Sequence, residues 1–259
     1  MNPVAFDIFG LEIAWYGVMI TIGVLAALTA TWFNTKRGRE EADFDHITDA
    51  FLYAFPIALI GARLYYVIFE WDQYKGDLLK ILDVRGGGLA IHGGLIGAAI
   101  GVLIYKAVHK KTLSYVLKMA DAAVVTIPLA QAIGRWGNFF NQEAHGGPVT
   151  KEFISMFPEF IQNGMFIGGT YYHPTFLYES IWNLLVFAVL MYLYGKKKEG
   201  ADGSLIYWYM ILYSIGRFAV EGLRTDSLMF LGLRQAQIIS LLAIAFGIVM
   251  LILTRKKKA

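Results

Sequence analysis

Residues Ile13–Phe33 read IAWYGVMITIGVLAALTATWF, without one charged side chain. A bilayer's hydrocarbon core is about 30 Å thick, and a helix needs roughly 20 apolar residues to cross it. That length decides the class. At the other end of the chain Gln235–Thr254 reads QAQIISLLAIAFGIVMLILT, again uncharged. Working inward, apolar runs at Ile47–Phe69, Leu89–Tyr105, Leu113–Ile133, Phe176–Tyr194 and Leu205–Leu223 complete a set of seven. The expectation is an all-α, polytopic integral membrane protein, one transmembrane domain over residues 1–259. Only 17% of its residues are charged, against about 25% in soluble domains.

No internal repeat is visible, which argues against an inverted-repeat transporter. The chain has no cysteine, so disulfides, thiolate metal sites and a cysteine nucleophile are excluded. The first apolar run follows Asp7 and Glu12 rather than a basic segment, and reads as a retained span rather than a cleaved signal. Basic residues follow alternate spans: Lys36, Arg37 and Arg39; Lys106, Lys110 and Lys111; Lys196, Lys197 and Lys198; and Arg255 with Lys256, Lys257 and Lys258. The opposite side carries Lys75, Lys80, Arg85, Lys151, Arg224 and Arg234. The positive-inside rule then places the N-terminus outside and the C-terminus in the cytoplasm. The expected outer connections are residues 74–88 and an aromatic-rich arm, 139–174, that packs as a structured loop.

Ionisable groups within a bilayer are expensive and tend to be functional. Counting about 1.5 Å per residue along each span, Tyr16, Arg63, His92, Arg135, Asn138, Asn141, Glu143, Glu179, Arg217 and Glu221 gather toward one outer level. Arginine stays charged and binds phosphate in a bidentate fork, so Arg63, Arg135 and Arg217 are candidates for an anionic head group. Arg217 has a second reading. Tyr213, Arg217 and Glu221 are spaced i, i+4, i+8 on one helix face, so Arg217 can instead pair with Glu221. Arg135 has no carboxylate at i±3 or i±4; Asn138 at i+3 leaves its charge available. His92 is the only histidine inside an expected span. It is either a packed core residue or a base suited to proton transfer near neutral pH. Gly97 and Gly101 read as helix packing, and Gly86–Gly88 as a flexible loop. The histidines are too scattered for a metal site.

The segment Gly134–Gly147, GRWGNFFNQEAHGG, resembles the signature of the prolipoprotein diacylglyceryl transferase family. The resemblance extends to WYG at Trp15–Gly17, GARLYYV at Gly61–Val67, HGGLIG at His92–Gly97, HPTFLYE at His173–Glu179 and YSIGRFAVEGLR at Tyr213–Arg224. Two positions depart from it: Gln142 stands where glycine is common, and His145 where others carry tyrosine or tryptophan. The resemblance implies an enzyme of the bacterial inner membrane. It moves the sn-1,2-diacylglyceryl group of phosphatidylglycerol to the lipobox cysteine of a prolipoprotein signal peptide and releases sn-glycerol 1-phosphate. No cofactor or metal is implied, and no nucleic acid partner. Catalytic roles then fall to Arg135, Arg217 and His92. Substrate contacts fall to Tyr16, Arg63, Arg135, Asn138, Asn141, Glu143, Gly146, Tyr213 and Glu221. A lipid transporter or scramblase for anionic lipids is the competing class, since it too would place arginines at head-group level.

Overall fold

The computed structural model describes residues 1–36, 42–83, 87–196, 202–230 and 232–256. Arg37, Arg39, Arg85, Gly86, Lys197, Lys198, Lys257 and Lys258, used in the reading above, lie outside these residues. In chain order the elements are β1 (Val4–Ile8), β2 (Leu11–Ala14), α1 (Trp15–Lys36), α2 (Phe44–Phe69), α3 (Ile91–Val108), α4 (Leu113–Val124), α5 (Ile127–Asn141), β3 (Pro148–Val149), α6 (Lys151–Ile154), α7 (Glu159–Gly164), β4 (Phe166–Ile167), β5 (Thr170–Tyr172), α8 (Thr175–Lys196), α9 (Ser204–Glu221), β6 (Met229–Phe230), β7 (Leu233–Arg234) and α10 (Gln235–Lys256). Five helices, α1, α2, α3, α8 and α10, are long and apolar enough to cross a membrane, and six spans result if α4 and α5 count as one broken span. The chain is a mostly helical membrane protein. Its residues separate into two compact units, one formed by 1–39 and 121–259, the other by 40–120.

The second unit is built on α2 and α3. Asp43 caps α2 by accepting the Asp45 N–H at 3.1 Å, and the helix runs through Pro56 without ending. Its early start also makes His46 helical. On α3, Gly93, Gly97 and Gly101 are buried. A Cβ at Gly101 would lie 2.6 Å from the Ala54 Cα, and one at Gly97 would be 2.9 Å from the Ala58 Cα. The glycines therefore bring two backbones together, as small residues do between membrane helices. Helix α3 begins at Ile91 rather than Leu89 because Gly87 and Gly88 have φ of 87° and 69°, outside the helical region.

The first unit packs α1 on α5, α5 on α8, α8 on α9 and α9 on α10. Close approaches recur here. A Cβ at Gly23 would lie 2.8 Å from the Ala130 carbonyl oxygen, and one at Gly247 would lie 2.7 Å from Ile211 Cγ1. Polar groups bridge the helices where water is absent: Thr31 Oγ1 and Thr126 Oγ1 at 2.9 Å, Ser180 Oγ to the Ala132 carbonyl at 2.9 Å, and Trp182 Nε1 to the Leu212 carbonyl at 2.9 Å. Asp121, fully buried, accepts the N–H groups of Gly203 at 2.7 Å and Leu205 at 3.0 Å. It thereby supplies the N-terminus of α9 with the acceptors that the helix itself lacks.

Three features depart from the apolar-run reading. The expected span Leu113–Ile133 is two helices, broken at Val125–Thr126 with Pro128 in the first turn of α5; proline there has no N–H to lose. The expected arm 139–174 starts later, because Phe139, Phe140 and Asn141 complete α5. The rest is ordered: β3, β5 and β4 form a three-stranded sheet with α6 and α7. Its core is Phe139, Ile154, Ile161, Met165 and Phe176. Finally, Ile13 and Ala14 belong to the β1–β2 hairpin, not to α1.

Candidate active site

The first unit assembles a charged cluster from α5, α8 and α9. Glu179, 8% exposed, lies between two arginines on different helices. Its Oε2 pairs with Arg135 Nε, and its Oε1 accepts from Arg217 Nη1 at 3.0 Å. Arg217 Nη2 also pairs with Glu221 Oε2 at 2.6 Å, one helical turn along α9. Glu221 is 2% exposed and each arginine about a fifth exposed. Breaking a buried pair by removing one member strands a charge at a cost of about 3–5 kcal/mol, so these four side chains act as one unit. Arg135 has no carboxylate at i±3 or i±4 on its own helix, as its spacing indicates, but Glu179 reaches it from α8.

The other end of the Arg135 fork is less engaged. Among the described residues its Nη1 makes only a long 3.4 Å contact to Asn138 Oδ1, while Asn138 Nδ2 donates to Glu143 Oε1 at 2.9 Å. Glu143 is exposed. Asn141 Oδ1 is buried and accepts no hydrogen bond among the described residues. Tyr16, more than a third exposed, packs where Gly137 leaves room: a Cβ there would lie 2.8 Å from Tyr16 Cδ2. Tyr213 is half-buried and stacks on Tyr209 at 5.6 Å between ring centres; Tyr209 accepts from Gln131 Nε2 at 2.8 Å.

The signature turn is held by backbone. Gln142 closes α5 with φ 53°, and Ala144 follows at φ 54°. Non-glycine residues adopt this region only at a cost. Gln142 offsets it by donating from Nε2 to the Gly164 carbonyl at 2.8 Å, which accounts for a side chain where glycine is the simpler choice. Gly146 is a crossing point. Its N–H donates to the His173 carbonyl at 3.1 Å, the Gly147 N–H donates to the Leu223 carbonyl at 3.0 Å, and a Cβ at Gly146 would lie 2.6 Å from His173 Cβ. His173, just ahead of α8, has its pKa lowered by burial. After α9, Arg224 grips Asp226 with Nε and Nη2 at 2.8 and 2.6 Å, which holds the Asp226 carboxyl below its ordinary range. Arg234 Nη1 donates to the carbonyls of Glu221 and Arg224.

Two expected site residues belong to the second unit. Arg63 is buried, and its donors go to backbone: Nε to the Ile81 carbonyl at 2.9 Å, Nη1 to those of Gly87 and Gly88 at 2.9 and 3.0 Å, and Nη2 to that of Lys80. The described part of the glycine run is thus wrapped around a guanidinium rather than loose. His92 is exposed on the first turn of α3, with the Tyr65 ring 6.0 Å away, centre to centre. The residue that sequence reasoning underrated is Glu179. It was visible in HPTFLYE, but nothing in the spacing shows that it joins residues 44 positions upstream and 38 downstream.

The helices and this cluster define a class: an integral membrane protein that keeps two oriented arginines, with hydrogen-bonding asparagines beside them, amid apolar surroundings. The comparisons narrow it. The family model described as prolipoprotein diacylglyceryl transferase matches residues 3–253. A phosphatidylglycerol–prolipoprotein diacylglyceryl transferase of Clostridium botulinum (strain Langeland) is 55% identical over 248 residues, covering 96% of this chain and 95% of that protein. The protein of the same name from Clostridium novyi is 54% identical over 252 residues, covering 97% and 95%. One from Clostridium perfringens (strain 13) is 53% identical over 260 residues, covering 100% and 97%. The chain belongs to the prolipoprotein diacylglyceryl transferase family.

Proposed function

We propose that this chain transfers the sn-1,2-diacylglyceryl group of phosphatidylglycerol to the lipobox cysteine of prolipoproteins, the first step of lipoprotein maturation. In balanced form, the thiol sulfur attacks the glyceryl carbon and a C–S bond forms. The C–O bond to phosphate breaks, and sn-glycerol 1-phosphate leaves with the electron pair. The thiol proton is released to a base. The observation that carries the reading is the Arg135–Glu179–Arg217 cluster, set in a chain whose close relatives bear this activity's name. Glu179 fixes Arg135 from its Nε side, which leaves the Nη end of the fork for a phosphate oxygen. A preoriented donor of this kind stabilises the charge that builds as C–O breaks, without reorganising at that moment. Arg217, satisfied by two carboxylates, holds Glu179 in place and adds positive field. Asn138, Asn141, Glu143, Tyr16 and Tyr213 are assigned to head-group hydroxyls and lipid oxygens. Gly146 shapes the signature turn on which the head-group contacts are proposed. Arg63 organises the loop ahead of α3. His92 is the proposed base on the strength of its motif and its exposure on α3, histidine being the side chain most often used to take a proton in catalysis.

Helix α9 is assigned as a further span, interrupted in its apolar character by Tyr213, Arg217 and Glu221. With α4–α5 as one broken span this gives seven, with the N-terminus outside, the C-terminus in the cytoplasm and the arm after α5 on the outer face of the inner membrane. Incubating the purified protein with labelled phosphatidylglycerol and a lipobox peptide tests the reaction. Thioether-linked label on the peptide is expected. Label moved between vesicles or leaflets with none on the peptide would support the transporter or scramblase class instead. A reporter fused after the last basic cluster tests the orientation: access from outside the cell would overturn it.

A further inference from the structure

The β1–β2 hairpin has two unlike faces. Its register pairs Phe6 with Ile13, Asp7 with Glu12 and Ile8 with Leu11. Cross-strand partners share a face and neighbours alternate, so Phe6, Ile8, Leu11 and Ile13 line one side while the two carboxylates face each other on the other. Phe6, Ile8 and Leu11 are each close to half exposed, and Phe9 at the tip is wholly exposed. The two-residue turn Phe9–Gly10 has φ of 53° and 81°, a primed hairpin turn that favours Asn-Gly; Asp7 Oδ1 supports it by accepting the Gly10 N–H at 2.9 Å. In water this hairpin has little to recommend it. Two strands alone are marginal, like charges opposite one another are unfavourable, and a bulky residue at positive φ is strained.

We propose that the hairpin lies in the head-group region of the bilayer, with Phe6, Ile8, Phe9 and Leu11 immersed and Asp7 and Glu12 turned to water. The apolar face then gains what the turn and the charge pair cost. Lipid is the occupant because of continuity with the membrane-crossing helix. β2 ends at Ala14 and α1 starts at Trp15, and the Trp15 N–H donates to the Pro3 carbonyl at 2.9 Å, tying the hairpin's base to the helix. At about 3.3 Å per residue the tip stays within roughly 20 Å of that helix end. Trp15 and Tyr16 are the aromatic types that mark a membrane–water boundary. Residues 1–14 contain no lysine or arginine, so attachment is by apolar insertion and does not depend on anionic lipid.

This inference rests on the membrane reading and is independent of the transferase reading. The absence of cysteine allows single cysteines to be placed in turn at positions 6–9, 11 and 12 of the full chain and spin-labelled in nanodiscs, of phosphatidylcholine alone or mixed with phosphatidylglycerol. Accessibility to oxygen against a water-soluble nickel chelate reads depth. Labels at 6, 8 and 11 are expected on the oxygen side, 7 and 12 on the nickel side and 9 deepest, equally in both lipids. A label at 9 as open to nickel as one at 7, or one shielded only when an apolar lipobox peptide is added, overturns it. Phe9→Asn gives a second reading, because asparagine tolerates the turn better. It is expected to leave stability in detergent unchanged or improved, yet to move labels at 6 and 8 toward water in nanodiscs. Unchanged labels would reduce Phe9 to a turn residue.

Discussion

Arg63 and Arg135 are the same residue type, both on apolar helices, and the molecule uses them differently. Arg63 is enclosed by the carbonyls of Lys80, Ile81, Gly87 and Gly88. Every one of those acceptors is neutral backbone, so the guanidinium acts as a template on which a loop is folded. Arg135 has one end on the Glu179 carboxylate and the other end lightly held. A charge committed to carbonyls on all sides organises structure; a charge fixed from one side is available to an anion. Burial alone does not distinguish the two uses. The identity and placement of the acceptors does.

The strongest way to break that contrast is Arg135→Gln. Loss of a preorganised charge donor typically costs 10²–10³-fold, and turnover of labelled phosphatidylglycerol is expected to fall by about 10³-fold at normal protein level. Arg135→Lys should also lose most activity, because a point charge cannot reproduce the planar fork. Near-normal turnover by the glutamine variant would remove Arg135 from phosphate binding.

His92→Asn should follow, at about 10²-fold, the lower end of general-base contributions. Its decisive readout is a rate–pH profile. Raising the pH should partly restore the variant, because the substrate thiol, pKa near 8.5, then ionises unaided. Equal rates for variant and wild type near neutral pH would leave thiol activation to the arginine field.

Glu179→Gln sharpens the comparison by keeping an acceptor while removing its charge. The two arginines lose a shared counter-ion but not their packing. A loss of roughly tenfold in kcat is expected, from poorer aim of Arg135, with KM for lipid unchanged or lowered because the site becomes more positive. A raised KM with unaltered kcat would mean that Glu179 binds substrate instead. Arg63→Gln, by contrast, should spare most chemistry and expose the backbone at Lys80, Ile81, Gly87 and Gly88 to protease, since four carbonyls lose their donor. A fall in turnover as large as that of Arg135→Gln would erase the distinction.

The smallest effect is expected at Asp226. Arg224 depresses its carboxyl pKa, so the pair contributes stability above the unfolded carboxylate value near 3.9 and loses it as pH falls through the lower, folded value. With Asp226 half exposed, the contribution is screened and stays below about 1 kcal/mol. Asp226→Asn should lower neutral-pH stability by that small amount, leave stability at the lowest pH unchanged and so flatten the acid side of a melting-temperature-against-pH curve. An unaltered acid slope would assign it elsewhere.

The long helices were readable from sequence because hydrocarbon demands uninterrupted apolar length, and that demand leaves a continuous mark. Breaks were harder. Pro128 sits in an otherwise apolar run, and apolar content alone conceals that the helix restarts there. The β1–β2 hairpin had its own signal, the alternation Phe6-Asp7-Ile8 and Leu11-Glu12-Ile13 about Phe9-Gly10, hidden by its adjacency to a span. Of the site, motif residues on single helices were legible. The sharing of Glu179 was not, because spacing rules report neighbours one turn apart, whereas α5, α8 and α9 meet only through packing.

Asp121 carries a consequence for how the protein is made. The N-cap residue of the helix it completes, Gly203, lies 82 residues later in the chain. At roughly 5–20 residues per second, the ribosome takes on the order of 4–16 s to supply that partner after Asp121 has been synthesised. Throughout that interval the Gly203 and Leu205 N–H groups that Asp121 accepts do not yet exist. The first unit is therefore a late assembly, closed only when α9 and α10 arrive, and Arg135 and Arg217 can share Glu179 only after α9 has been synthesised.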